Sequence, residues 1–348
     1  MISDKMKTIY VVGAAGRTGM LFCRELQNAA RMIGVAFPAE IENIKSGKAK
    51  IVRGKNLPEI FTAELVPPED FGVAIVRNAP DFLWLAARNP VDKITAFYYR
   101  HFANQQNFPV LVLSQNGLSA AADAKKGLQE ALGQDADKVA IVRVSLINGV
   151  DLNTDSDGTI TIGYKLPIKL GFGMVKTYIG DTYASSSASL GLGKIFKKAG
   201  VGARQFRGKD VFAMENAKLF LNLIGMAAAA NGAGVAAGYR DKKIFKKEMA
   251  ALREFVSAVN AVRGGFADKL GGYPVKLLAR LALLPVCLLA PWRGVLAGAI
   301  AKGRNRPKDL SEIDYYNGEV VRLGKKANVP TPANEEIIAK ARALKCKI

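Results

Sequence analysis

Histidine is almost missing from this chain: its 348 residues contain one, His101, within FYYRHFANQQ. That removes catalysis built on histidine clusters and leaves a His-Asp proton relay open only through that position. The helical pattern around His101 reads it as a packing or surface residue. Cysteine is scarce as well. Cys23, Cys287 and Cys346 are odd in number, far apart and in no C-x-x-C pair, which excludes a disulfide framework and a zinc site. No metal is expected, and the pattern fits a reducing, cytoplasmic compartment. The polar opening, Met1 to Thr8, has no charged-then-apolar leader pattern, so no signal peptide is expected. Acidic side chains are the minority charge, 30 against 50 basic, for a formal net charge of +20. Such a balance favours nucleotide phosphates, acidic substrates or an anionic surface as partners. The lysines form only short clusters without interleaved aromatics, so no nucleic acid is expected.

With 49% hydrophobic residues the chain can bury real cores, and its length predicts about two domains. KTIYVVGAAGRTGMLFCRELQNAARMIGVAF reads as strand, glycine turn, helix, strand. Gly13, Gly16 and Gly19 allow close backbone approach to a pyrophosphate whose charge rests on the following helix N-terminus. The spacing is G-x-x-G-x-x-G, one residue longer than the G-x-G-x-x-G fingerprint. Arg17 inside the turn is a further phosphate candidate. Beyond the second strand, Glu40 and Glu42 offer carboxylates for ribose hydroxyls, and Lys45 and Lys48 offer cations for a 2′-phosphate. DFLWLAA and FPVLVLSQNG are continuous apolar runs, as expected of parallel strands buried on both faces. Their carboxyl ends put Arg88 and Asn116 at the ligand crevice of an open parallel sheet. KVAIVRVSLINGVDL and GTITIGY add strands. From about Asp210 the pattern turns helical.

VFAMENAKLFLNLIGMAAAANGAGVAA reads as one long helix, with Lys218 and Asn222 at i and i+4 on one face. An amine and an amide on an apolar helix call for partners. LSEIDYYNGEVVRLGKKANVPTPANEEI, residues 310 to 337, reads as a late amphipathic element that places Glu312, Asp314 and Asn317 far from the glycine turn.

These residues carry a family resemblance. KLFLN is similar to the K-L-x-x-N helix of the ketopantoate reductases (2-dehydropantoate 2-reductases), SQNG to their N-G turn, and SEIDYYNGEVVRLGKKANVPTP to their T-E-I-D-x-x-N-G segment with its trailing V-P-x-P. The motifs occur in family order over nearly the whole chain. The resemblance implies an N-terminal Rossmann-like dinucleotide-binding domain (1–205) and an all-helical catalytic domain (206–348), with α/β architecture overall. It implies Lys218 as general acid, Glu312 brought to the substrate by a late helix, and Asn116 and Asn222 as substrate contacts. Asn116, Gly13, Gly16, Arg17, Gly19 and Arg88 would hold the cofactor. A ketone accepting hydride develops alkoxide charge, which a positioned ammonium can protonate and stabilise.

The chain also departs from the family. Met226 stands where a second asparagine is usual, and VLAGAIAKGRNRPKDL lacks the serine that holds the substrate carboxylate, leaving Arg88 or Arg304 as replacements. Arg88 stands where lysine is common, and the arginine expected after the second strand is missing. The expected function is therefore NAD(P)H-dependent reduction of a 2-oxo acid, resembling the conversion of ketopantoate to pantoate in pantothenate biosynthesis, with NADP favoured over NAD. The alternatives are reduction of a different ketone, an opine-type dehydrogenase, or a non-catalytic NADP-binding or membrane-surface protein. The segment 274–301 is too broken to span a bilayer: its uncharged stretch Leu281 to Trp292 is 12 residues with two prolines, against about 20 needed. It reads as buried helices, a homodimer contact, a membrane-surface patch or a substrate lid.

Overall fold

The computed structural model describes residues 6–175, 183–262, 264–303 and 308–345. The chain divides into two compact units. The first comprises Met1–Gln115 and Ala120–Val211, the second Asn116–Ser119 and Phe212–Ile348.

The first unit is α/β. Its strands are β1 (Thr8–Val12), β2 (Arg31–Val35), β3 (Ala49–Arg53), β4 (Glu59–Ile60), β5 (Glu64–Val66), β6 (Phe82–Leu85), β7 (Val110–Leu113), β8 (Ile141–Leu146), β9 (Val150–Thr154), β10 (Ile160–Tyr164), β11 (Lys169–Met174) and β12 (Gly202–Phe206). Eight form one sheet in the order β12-β11-β8-β7-β6-β1-β2-β5. All neighbours run parallel except β11 and β8. The apolar runs follow from this topology. In β1, Ile9 and Val11 face one core with Trp84, Phe22 and Phe196, and Tyr10 and Val12 face the other with Phe71 and Tyr99. A strand covered on both faces has no polar side to show. A second sheet, β4-β3-β10-β9, pairs β3 in parallel with β10.

The second unit is helical. The expected single helix over 211–237 is broken. Helices run over Asp210–Leu223, Met226–Ala229 and Val235–Arg240, because Gly225 takes φ 92°. The left-handed backbone ends the first helix and starts the next. The broken ends are covered by charge. The ammonium of Lys308 donates to the carbonyls of Leu221 (3.1 Å) and Asn222. The buried carboxyl of Glu248 accepts from the amides of Gly225 and Ala227, the latter at 2.9 Å. The 20-residue helix Lys242–Ala261 starts at Asp241, whose side chain accepts from the amides of Lys243 and Ile244, a well-formed N-cap. Met226, Ala230, Ala251, Ile313, Ile337 and Ala341 close a core among these helices. Asp210–Ala229 is long and apolar enough to cross a membrane by composition, yet 67% of that window is buried in the protein.

Candidate active site

The glycine turn follows β1 directly. Gly13 has φ 81°, and a Cβ there would stand 3.2 Å from the amide nitrogen of Ala87. Gly13 is the residue that makes the turn. At Gly19 a Cβ would lie 2.1 Å from the Gly13 carbonyl oxygen, so only glycine lets the helix Arg17–Leu26 pack on the turn. Gly16 caps that helix without a side chain to bond its first amides, and its first turn holds no acidic residue. A Cβ on Gly16 would meet only the Gly13 carbonyl oxygen, at 3.2 Å. The three glycines thus divide into the turn, approach and packing roles that a pyrophosphate cradle needs, and Arg17 is the first helical residue. Arg88 is exposed in the loop after β6. Arg304 lies outside the described residues.

Beyond β2 the candidates separate. Glu40 is engaged locally: its carboxylate accepts from the Phe37 amide at 2.9 Å, capping the helix Pro38–Lys45. Lys45 ends that helix, about 10 Å along its axis from Pro38, and Lys48 precedes β3. Neither lysine stands at the end of β2. His101 lies in a 3₁₀ turn with its ring edge-on to Phe71 and Phe97, and partial burial lowers its pKa. Its ring contacts these two phenylalanines while the residue as a whole stays exposed. A cavity of ≈ 740 Å³ in this unit opens beside the starts of β1 and β2. Four of its charged residues pair with each other, Lys7 with Asp81 at 2.7 Å and Arg31 with Glu64 at 3.0 Å.

Within the second unit, one amide gathers the candidate catalytic residues. Asn116 Oδ1 accepts from Asn222 Nδ2 at 3.0 Å. Asn116 Nδ2 donates to Glu312 Oε2 at 3.1 Å and to the Tyr316 hydroxyl at 2.9 Å. The Tyr316 hydroxyl in turn donates to Glu312 Oε2 at 3.2 Å. Both bonds to the carboxylate thus end on Oε2, leaving Oε1 for another donor. Lys218 is half-buried one turn before Asn222 on the helix Asp210–Leu223. Gly117, with φ 91°, makes the cluster sterically accessible. A Cβ there would lie 3.0 Å from the Tyr315 carbonyl oxygen and 3.1 Å from Glu319 Oε1.

The late segment differs from the single amphipathic element expected. A 3₁₀ turn, Ile313–Tyr315, precedes the helices Asn317–Ala327 and Pro332–Lys345, and Glu312 stands at the start of that turn, ahead of the helix. The other polar residues of the motif hold this geometry. Asn317 Nδ2 donates to Asn334 Oδ1 at 2.8 Å in the core. Buried Glu319 accepts from the Ser119 amide at 2.9 Å and pairs with Arg322 at 3.1 Å. Asp314 pairs with Arg342 at the surface at 2.8 Å. Met226 is 1% exposed and packs with Ile313 and Ala251, so it offers the site no polar group.

Tyr316 escaped the sequence reading. Its signal was present, since an i, i+4 spacing from Glu312 brings the two together across a turn. Gln115 and Arg143 were also missed. In the first unit, Gln115 Nε2 donates to the carbonyls of Leu85 (2.8 Å) and Ala87 (3.0 Å), and buried Arg143 donates to the Gln115 carbonyl at 3.0 Å. Together they tie down the strand end that delivers Asn116.

These features define a chain with a largely parallel sheet carrying a glycine turn, followed by a helical region with a lysine–asparagine–glutamate cluster. Residues 306–345 match the family model described as ketopantoate reductase PanE/ApbA C terminal. The structure is similar over nearly its full length to a PanE/ApbA family ketopantoate reductase from Ralstonia eutropha JMP134, with TM-score 0.68, 17% identity, and 98% of this chain and 99% of that one covered. It is also similar to a D-mandelate dehydrogenase solved with NADH and anilino(oxo)acetate, with TM-score 0.66, 15% identity and coverage of 96% and 97%. A 2-dehydropantoate 2-reductase from Methylococcus capsulatus superposes with TM-score 0.64 at 15% identity, covering 98% and 97%. No curated protein matches in sequence. The resemblance to the ketopantoate reductases therefore rests on the matched C-terminal segment and on the fold of the whole chain.

Proposed function

We propose that the protein is a nicotinamide-dinucleotide-dependent reductase of a 2-oxo acid. One observation carries the reading: the Asn116 amide joins Asn222, Glu312 and Tyr316 one helical turn from Lys218, in a chain with the fold shared by ketopantoate reductases and a D-mandelate dehydrogenase. The turn at Gly13, Gly16 and Gly19 suits a pyrophosphate, with Arg17 and Arg88 as the cations nearest that turn and the end of β6. A bound dinucleotide supplies the hydride. Lys218 supplies the proton at the ketone oxygen as that atom gains negative charge, and the same ammonium stabilises the charge. Asn222 and Asn116 fix the geometry of the polar cluster, and Oε1 of Glu312 receives the ammonium or the product hydroxyl. Preference for NADPH over NADH rests on the net charge of +20, since Lys45 and Lys48 stand away from the end of β2. A cytoplasmic location belongs to the same reading.

The family's serine, which holds the carboxylate that every 2-oxo acid carries, is missing, and Met226 is buried in place of an asparagine, so ketopantoate, where it is turned over, is expected to show a high Michaelis constant. The test is oxidation of NADPH and of NADH across a panel of 2-oxo acids, ketopantoate and benzoylformate included. Turnover of one or more of them that is lost in Lys218→Ala supports the proposal. Dinucleotide binding without turnover of any carbonyl compound would favour the non-catalytic alternative.

A further inference from the structure

The helices Val275–Ala282, Val286–Leu289 and Arg293–Gly303 are packed in a way that is unusual for the surface of a water-soluble unit. They bury their small residues and expose their large ones. Val275, Ala279, Ala282 and Ala297 are inside. Outside are Leu277 at 54% exposure, Leu288 at 59%, Trp292 at 61% and Val295 at 66%, with Leu281, Leu283 and Leu284 also exposed. Scattered apolar residues on a surface are ordinary, but seven exposed large ones between positions 277 and 295 are a concentration of the kind that marks an interaction site.

Charge says what covers it. Between Asp268 and Asp309 the sequence holds eight basic residues and no acidic one. Lys276 is paired with Asp268 at 3.0 Å, whereas Arg280 is exposed with no acidic partner among the described residues. Beside Trp292, Arg240 and Arg293 line an open cavity of ≈ 420 Å³ with Ala290, Pro291 and Gly294. Two arginines at one cavity, with an exposed indole next to one of them in sequence, combine phosphate recognition with an interfacial anchor. A second copy of this chain would bring the same excess positive charge to the patch, so it is a poor electrostatic match. A surface of negative charge over hydrocarbon is a good one.

We propose that this face docks the protein on an anionic lipid bilayer surface. Leu277, Leu281, Leu288 and Trp292 enter the interface, and Arg240, Arg280 and Arg293 meet lipid phosphates. The segment lies on the membrane without spanning it, and the proposal is independent of the reaction catalysed.

The test uses the full chain with vesicles of phosphatidylcholine alone and of phosphatidylcholine mixed with phosphatidylglycerol, at low and at moderate salt. Binding is read by co-sedimentation, and by Trp292 fluorescence in a Trp84→Phe background. The expected result is binding to the anionic vesicles with a blue shift of Trp292, at least about tenfold weaker with phosphatidylcholine alone. Leu288→Asp and Trp292→Asp lie on the exposed face, so they test the contact without opening a core. Each is expected to weaken binding at least about tenfold. Three results would overturn the proposal. One is failure to bind anionic vesicles at low salt. Another is equal binding by both variants, which would assign it to overall charge. The third is a dimer in sedimentation velocity that both variants dissociate while vesicle binding stays absent, which would make the face a contact between two copies.

Discussion

Glu248 provides a quantitative test of how the helix break beside Asn222 is held. Its side chain is 2% exposed and accepts from the amides of Gly225 and Ala227. Burial pushes its pKa up from 4.5 to about 7, against the opposing pull of those two amides and the Lys308 ammonium. The folded protein therefore holds this proton more tightly than the unfolded chain does. The resulting stability is fully present below about pH 4.5 and is lost as pH rises through about 7. A difference of roughly 2.5 pKa units at about 1.36 kcal/mol each is worth about 3 kcal/mol. Glu248→Gln removes the titration while keeping one acceptor for the two amides. Urea unfolding at steps from pH 5 to 8 measures the effect. Trp292 fluorescence in a Trp84→Phe background makes the measurement specific to the second unit. The stability of the parent relative to Glu248→Gln is expected to fall by about 2.5 kcal/mol as pH rises across that range, part of the total being lost already below pH 5. A difference that stays constant, or that grows with pH, would refute the reasoning.

Lys218→Ala is expected to lower turnover at least about 10²-fold, the usual cost of losing a general acid, while dinucleotide affinity measured by fluorescence titration stays unchanged. Tyr316→Phe removes one donor to Glu312 Oε2 and one acceptor for Asn116. With hydrogen bonds to a charged group worth about 1.5–3 kcal/mol, kcat/KM is expected to fall about 10- to 100-fold; unchanged steady-state kinetics would remove Tyr316 from the site. Gly16→Ala and Gly19→Ala should separate binding from folding. The first is expected to fold with weakened dinucleotide affinity. The second, with a Cβ 2.1 Å from the Gly13 carbonyl oxygen, is expected to lose cooperative unfolding in circular dichroism.

The elements that the sequence made legible are those whose physics is local. The glycine turn announces itself because a backbone near a phosphate excludes side chains, and β6 and β7 because strands buried twice over are apolar throughout. The helix with Lys218 and Asn222 was visible from spacing alone, and Glu312 from a motif carried by resemblance. What stayed hidden depends on partners remote in sequence. β3 is a modest strand whose pairing is with β10, about a hundred residues later. The break at Gly225 was masked by the alanines around it, whose helix propensity overwhelms a single glycine in any pattern count. The buried ends are covered by Lys308 and Glu248, which arrive from other elements. Glu40 read as a ribose ligand because a carboxylate near a strand end serves equally as a helix cap. Tyr316 was hidden by its motif, where it counted as a spacer.

The four residues Asn116–Ser119 belong to the second compact unit although the rest of that unit begins at Phe212. A fragment starting at Phe212 would keep Lys218, Asn222, Glu312 and Tyr316 but lose the amide that connects three of them. Buried Glu319 would also lose the Ser119 amide, leaving a carboxylate inside with one partner fewer. No single cut in the chain separates one complete unit from the other. The helical half is therefore incomplete as a contiguous stretch of chain, and a change in the short loop after β7 is inherited as a change in that half.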